Sequence, residues 1–140
     1  MSASARGAFA QAAAALAGTP FRLRGRDAAT GVDCVGLVAL ALRACGREPV
    51  VPEGYALRAL TVAPLLAFAA RNGFAPLDPG EAGAAGDLLL LRPSPIQAHV
   101  AIDLDPLGFV HAHAGLGRVT IEPGRPAWPL AARWRLSNEC

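Results

Sequence analysis

The hydrophobic pattern of this chain changes its period about halfway along the sequence, and this change limits the folds open to it. The first half contains apolar stretches of helical length, bounded by capping residues and by Gly or Pro. The second half contains shorter apolar runs of strand length. Helices followed by strands predict an α+β domain, with N-terminal helices packed on a mainly antiparallel sheet. We expect a first helix that includes 8–17, with Ser4 near its cap and Gly18 at its end, and a loop at 21–32. Further helices are expected at 34–44 and at 63–71, the latter with Pro64 in its first turn. Strands are expected at 88–91, 100–104, 109–110 and 119–121.

The 140 residues contain no internal repeat and are expected to form one domain, 1–140. No apolar run reaches the roughly 18 residues that cross a bilayer, so we expect no membrane partner. The net charge is +2 and the basic residues, all arginines, are scattered, which disfavours a nucleic-acid partner. The Ala-rich stretch 8–17 has few Leu, Ile or Val and follows one basic residue. This pattern disfavours a signal peptide.

Cys34 lies at the expected start of the second helix, where a thiol can become reactive. Asp33 is suited to cap this helix by accepting from backbone N–H groups one turn on. Because a helix N-terminus stabilises a thiolate, we expect the pKa of Cys34 to lie below the free value of about 8.5. The alternative is a buried structural cysteine. With Cys45 and Cys140 the chain has three cysteines and no CxxC pair, which predicts neither disulfides nor a cysteine zinc site.

Three histidines fall in the strand region, and the alternation of side chains along a strand limits how they can meet. His111 and His113 share one face, as do His99 and Ala101 in the preceding strand. If a five-residue loop, 104–108, closes the hairpin, Ala101 opposes His111 and His99 is its diagonal neighbour. A four-residue loop would put His99 and His111 on opposite faces. The alternatives are histidines that only pack or face solvent, and a three-histidine metal site.

A thiol nucleophile needs a base, and an imidazole works best when a third polar group orients it. Cys34, His99 and His111 can supply these three roles. Five short fragments give this set a wider context, and they lie in order at 18–25, 33–38, 86–88, 99–102 and 111–112.

These fragments resemble motifs of the NlpC/P60 family of bacterial cell-wall cysteine peptidases, which are papain-like in ancestry. The Gly-x-x-Tyr-x-x-Gly motif of the family is similar to 18–25, with one additional residue, and its Asp-Cys-Ser-Gly-Leu/Phe-Val motif to 33–38. Its Gly-Asp-Leu, His-Val-Gly-Ile and His-Ala motifs are similar to the other three fragments. The match covers most of the chain and implies the papain-like NlpC/P60 fold.

The resemblance implies that Cys34 is the nucleophile, that His99 is the general base and then acid, and that His111 orients His99. The implied reaction is attack on an amide carbonyl, formation of an acyl-enzyme and its hydrolysis. The implied substrate is a peptidoglycan stem peptide, cut between D-glutamate and a diamino acid. Neither a cofactor nor a metal is implied. Further candidates for substrate-binding or oxyanion roles are Asp33, Phe21 and His113.

Two residues depart from the pattern of the family: Phe21 stands where many members have tyrosine, and Val35 where serine usually follows the cysteine. A narrower resemblance, partly through a C-terminal Trp/Arg-rich strand similar to 127–136, is to short single-domain members from phage tail modules and phage-derived gene transfer agents. It implies phage-like tail proteins as partners, synthesis in the bacterial cytoplasm, and carriage in a particle to the wall in the periplasm. The alternatives are a structural tail component or pseudoenzyme, and an amidase or acyltransferase on the same Cys-His core.

Overall fold

A computed structural model describes residues 4–52, 62–78 and 80–137, and in these residues three helices pack on one face of a six-stranded antiparallel sheet. The α+β prediction is therefore confirmed. The helices are α1 (Ala5–Ala15), α2 (Cys34–Ala44) and α3 (Ala63–Arg71). The strands are β1 (Arg26–Asp27), β2 (Gly31–Val32), β3 (Phe74–Pro76), β4 (Leu88–Ser94), β5 (Gln97–Asp103), β6 (Phe109–His113), β7 (Arg118–Glu122) and β8 (Leu130–Leu136).

The helices begin and end at local signals in the sequence. The hydroxyl of Ser4 accepts from the N–H of Gly7 at 3.0 Å and caps α1, which ends two residues before the predicted end. Pro64 lies in the first turn of α3, which has no side-chain cap. Gly46 follows the cap of α2 with a φ of +91°, a conformation that glycine adopts without strain. No helix among the described residues is long and apolar enough to span a membrane.

The large sheet has the strand order β3-β8-β4-β5-β6-β7, so β4 to β7 form a meander and β8 lies between β3 and β4. The four strands predicted at 88–91, 100–104, 109–110 and 119–121 lie in this meander. The structure corrects the prediction at two places. Strand β3 was not predicted, and the segment 21–32, predicted as a loop, contains the two-stranded ribbon β1-β2.

The register between β5 and β6 decides where the histidines point. Ile102 pairs with Val110 and Asp103 with Phe109, so residues 104–108 form a five-residue loop. Continuing this register places residue 101 opposite His111, as the odd-numbered loop predicts. Only these two pairs join β5 and β6, although β5 begins at residue 97 and β6 ends at residue 113. The two strands therefore separate towards these ends and leave an opening in the sheet.

Each face of the sheet buries apolar side chains. The face beneath the helices contributes Val100, Ile102, Val110 and Ala112 to the main core, in which nearly all of α2 is buried. The opposite face carries a small second cluster of Leu89, Leu91, Ala101 and Phe109. By alternation, His99 and His111 belong to this second face, while Cys34 approaches from the helical side.

A buried ion network joins the start of β4 to β8. The carboxylate of Asp87 is fully buried and accepts from Arg135 Nε at 2.8 Å, Arg133 Nη1 at 3.0 Å and the N–H of Ala84 at 3.0 Å. Arg133 also donates to Asp103 at 2.8 Å. Burial alone would raise the pKa of Asp87, but the hydrogen bonds from Arg135, Ala84 and Arg133 hold it below its ordinary value.

We expect Asp87→Asn to lower the free energy of unfolding by about 3 kcal/mol or more at pH 7, because two guanidinium groups lose their buried counter-charge. The folded pKa of Asp87 lies below its unfolded value of about 3.9. Its contribution is therefore complete above that pH and is lost as the pH falls through the folded pKa. Urea denaturation at neutral and acidic pH measures the difference. The exposed Asp78→Asn is the matched control, and an undiminished difference in acid would contradict this account.

Candidate active site

A tight turn in front of α2 positions Cys34. The buried carboxylate of Asp33 accepts from the N–H of Gly36 at 2.9 Å, which confirms the predicted cap. The same carboxylate accepts from the N–H of Arg24 at 2.9 Å and from Arg26 Nη1 at 3.2 Å. These bonds fix the segment before α2 against its first turn, so Cys34 is held where the helix begins.

Gly36 allows this turn to pack directly on neighbouring backbone. A Cβ atom at position 36 would lie 2.1 Å from the carbonyl oxygen of Gly25, a distance that no real side chain tolerates. The glycine that follows the cysteine by two residues therefore lets the segment 24–26 lie against the helix start. Any larger residue would displace either the segment or Cys34.

The two strand histidines meet as the register requires. His99 Nε2 lies 2.7 Å from His111 Nδ1, and the rings form an edge contact with centroids 5.0 Å apart. His111 Nε2 in turn contacts Glu122 Oε2 at hydrogen-bond distance. Trp128 packs its ring edgewise against His99, with centroids 5.4 Å apart, and so covers this imidazole from one side.

One cavity of about 310 Å³ brings the cysteine and the histidines together. It opens where β5 and β6 separate, so a thiol from the helical side and imidazoles from the opposite face can line the same space. The peptide N–H of Val100, next to His99, is close enough to hydrogen-bond the Cys34 thiol. The residues that line the cavity include Cys34, His99, His111, His113, Phe21 and Trp128.

The residues expected at substrate-binding or oxyanion positions fall into two groups. Phe21 and His113 line the cavity, and His113 Nδ1 accepts from the N–H of Leu116 at 3.1 Å. Asp33 is fully buried in the turn, and its carboxylate is bonded to groups of this chain. Its effect on the cavity therefore passes through Cys34 and the backbone of the helix start.

The thiol of Cys34 and the imidazole of His99 are both uncharged at neutral pH. Burial, and then the adjacent charge of Asp33, raise the pKa of Cys34 to about 12, although nearby backbone N–H groups act in the opposite direction. Burial, followed by repulsion from His111 and His113, lowers the pKa of His99 to about 3. The expectation of a depressed thiol pKa was therefore wrong. Cys34 is 1% exposed, and the loss of hydration outweighs the favourable helix terminus.

Solved structures share this architecture across nearly the whole chain. NlpC1 from Trichomonas vaginalis is 17% identical with a TM-score of 0.70, over 96% of this chain and 45% of its own. The P60 domain of an antigen from M. avium subspecies paratuberculosis is 19% identical with a TM-score of 0.64, over 94% and 93%. The peptidoglycan hydrolase RipB from Mycobacterium tuberculosis is 26% identical with a TM-score of 0.62, over 94% and 64%. The chain has the NlpC/P60 fold.

Two of these proteins are considerably longer than the segment that they share with this chain. The chain spans 45% of NlpC1 and 64% of RipB. No protein-family model matches the sequence, and neither does any curated protein. The NlpC/P60 assignment therefore depends on the three-dimensional arrangement of the elements.

Two side chains that contact the histidines, Glu122 and Trp128, were not predicted as site residues from the sequence. Glu122 follows the predicted strand 119–121 and precedes Pro and Gly, a pattern that indicates the start of a turn. Extending the strand by one residue would have placed it diagonal to His111. Trp128 lies in the Trp/Arg-rich segment 127–136 but in a stretch without strand alternation, and only the tertiary fold brings it to His99.

Among the described residues, the three histidines are not arranged as a metal site, either by themselves or with Cys, Asp or Glu side chains. Within 4–52, 62–78 and 80–137, no group of three or more His, Cys, Asp or Glu side chains is arranged to hold a metal ion. Both ring nitrogens of His111 already have partners in His99 and Glu122. Cys140 lies outside the described residues.

We expect Asp33→Asn to lower the pKa of the Cys34 thiol, because it removes the adjacent negative charge. Asparagine caps helices as well as aspartate, so α2 should still begin at the same residue. Burial remains, and the thiol pKa should stay above its ordinary value. The pH dependence of alkylation by iodoacetamide, in a background with Cys45 and Cys140 changed to serine, measures the shift. The exposed Asp27→Asn serves as control, and an unchanged or higher thiol pKa in Asp33→Asn would refute the expectation.

Proposed function

We propose that this chain is a cysteine peptidase that hydrolyses an amide bond in the peptide stems of peptidoglycan. The observation that carries the proposal is the hydrogen-bonded pair of His99 and His111 in the same cavity as Cys34, at the start of a helix. The NlpC/P60 fold supports the substrate class, because the similar RipB is a peptidoglycan hydrolase.

In the proposed reaction the sulfur of Cys34 attacks the amide carbonyl carbon while His99 takes the thiol proton. Since thiol and imidazole are both uncharged at rest, the thiol proton must pass to His99 before or while the S–C bond forms. His99 then gives the proton to the leaving amine, which leaves an acyl-enzyme. A water molecule, deprotonated by His99, releases the acid and restores the thiol.

The start of α2 supplies candidate donors for the oxyanion. Of the first four N–H groups of the helix, that of Gly36 donates to the Asp33 side chain and that of Leu37 to the Asp33 carbonyl, both at 2.9 Å. The N–H groups of Cys34 and Val35 lie at the thiol and have no acceptor within the helix. These two groups are our choice for the oxyanion hole.

Finer features of the function extend the same proposal. The motif resemblance favours cleavage between D-glutamate and a diamino acid. Phe21 and His113 line the cavity and are our candidates for contacting the substrate. The resemblance also favours delivery to the periplasmic wall by a phage-like particle, with tail proteins as partners. These assignments depend on the sequence motifs and would be tested by the products formed from defined muropeptides.

Cys34→Ser should abolish the release of soluble fragments from purified peptidoglycan sacculi, a loss of at least about 1,000-fold, because the hydroxyl is a much weaker nucleophile. The matched control is Cys45→Ser at the other end of α2, where the thiol donates to the carbonyl of Leu42 at 3.3 Å. Mass spectrometry of the fragments identifies the cleaved bond. Equal activity of Cys34→Ser and wild type would exclude Cys34 as the nucleophile.

His99→Ala should lower kcat by about 100- to 10,000-fold, the usual contribution of a general base. His111→Ala should cost less, because it orients the base and does not itself take the thiol proton. His113→Ala should have the smallest effect of the three. Steady-state kinetics on a defined muropeptide, with thermal melts to confirm folding, gives the ranking. A larger effect at His113 than at His99 would contradict the assigned roles.

The burial of the thiol also favours a second candidate, a pseudoenzyme or structural tail component that keeps the fold. Cys34 is 1% exposed, and its pKa is raised. Absence of any products from sacculi with wild-type protein, together with unreactive Cys34, would favour this candidate. A product cut at a different amide, or a transferred acyl group, would instead indicate an amidase or acyltransferase on the same core.

A further inference from the structure

Glu122 ends a row of hydrogen-bonded side chains that begins in the cavity. It is the last residue of β7 and pairs with Phe109, which places it diagonal to His111 on the same face. The side chain of His111 is 2% exposed and that of Glu122 is 41% exposed. The row thus runs from His99 through a buried imidazole to a carboxylate that reaches solvent.

The chemistry of the last group determines the direction of every hydrogen bond in the row. A carboxylate can only accept, so His111 must carry its proton on Nε2. A neutral imidazole has one N–H, which leaves Nδ1 of His111 as an acceptor for His99 Nε2–H at 2.7 Å. His99 then has a single lone pair, on Nδ1, with which to take a proton.

We propose that Glu122 is a positioning residue that sets the tautomers of both histidines and thereby makes Nδ1 the basic atom of His99. The inference builds on the proposed function, in which His99 takes the proton of Cys34. When His99 becomes cationic, its Nε2–H donates more strongly to His111, and the negative charge of Glu122 stabilises the new positive charge through the relay.

Glu122→Gln separates this role from that of an ordinary hydrogen-bond partner, because glutamine has nearly the same shape but can donate as well as accept. When its amide NH₂ donates to His111 Nε2, His111 carries its proton on Nδ1 and donates to His99 Nε2. His99 then carries its proton on Nδ1 and cannot take one from the thiol. We expect kcat to fall by about 10- to 100-fold with little change in KM, less than the loss of the base itself.

The matched control is Glu48→Gln, an exposed glutamate in the segment between α2 and α3, which should leave kcat unchanged. Glu122→Asp keeps an acceptor-only group on a shorter side chain and should recover part of the activity lost in Glu122→Gln. Thermal melts should show the same melting temperature for wild type and Glu122→Gln, since the residue is partly exposed and the hydrogen bond is kept.

The tautomers can be read without any substrate, by long-range ¹H–¹⁵N NMR of the imidazole rings. In wild type we expect His99 and His111 both protonated on Nε2, and in Glu122→Gln a mixture that includes the Nδ1–H form of each. Wild-type rings protonated on Nδ1, or Glu122→Gln with wild-type tautomers and wild-type kcat, would overturn the inference. If the wild type cleaves no peptidoglycan but shows the expected tautomers, the proposed function fails while the role of Glu122 stands.

Discussion

The loop of five residues between β5 and β6 is the constraint on which the site depends. Side chains alternate along strands, so adding or removing one loop residue would turn His111 to the opposite face from His99. The Leu104 N–H donates to the Gly108 carbonyl at 2.8 Å and closes the loop at this length. The relay from His99 to Glu122 therefore follows from backbone geometry before any side-chain contact forms.

Beyond their two residue pairs, β5 and β6 separate, and this separation lets Cys34 reach the cavity that His99 and His111 line. If the strands stayed paired, the sheet would form a wall between the thiol on the helical side and the imidazoles on the other. The opening joins the two sides, and the burial of both groups explains the uncharged thiol and imidazole. An effect confined to the helix terminus, whether from unpaired N–H groups or from the macrodipole, does not outweigh the lost hydration of a thiolate in this position.

Much of the fold and part of the site could be predicted from the sequence. Helix starts were predictable because Ser4, Asp33 and Pro64 act within one turn. The facing of His99 and His111 depended on a loop of five rather than four residues, a choice that the sequence left open and the register decides. The edge strand β3 could not be predicted, because three residues carry too little alternation. The pKa of Cys34 could not be predicted either, because burial is set by the sheet and by α2 together. Glu122 lay within reach of the strand pattern, but the Pro-Gly that follows it resembles a turn.

Strand β8 lies between β3 and β4, although it is the last strand among the described residues. Without β8, one edge of β4 has no paired strand. The carboxylate of Asp87 then also lacks its ion pairs with the guanidinium groups of Arg133 and Arg135. Trp128 lies two residues before β8, so the position of β8 in the sheet places the Trp128 ring against His99. The complete cavity therefore requires residues that follow Cys34 by more than ninety positions, and the start of α2 alone does not make the site.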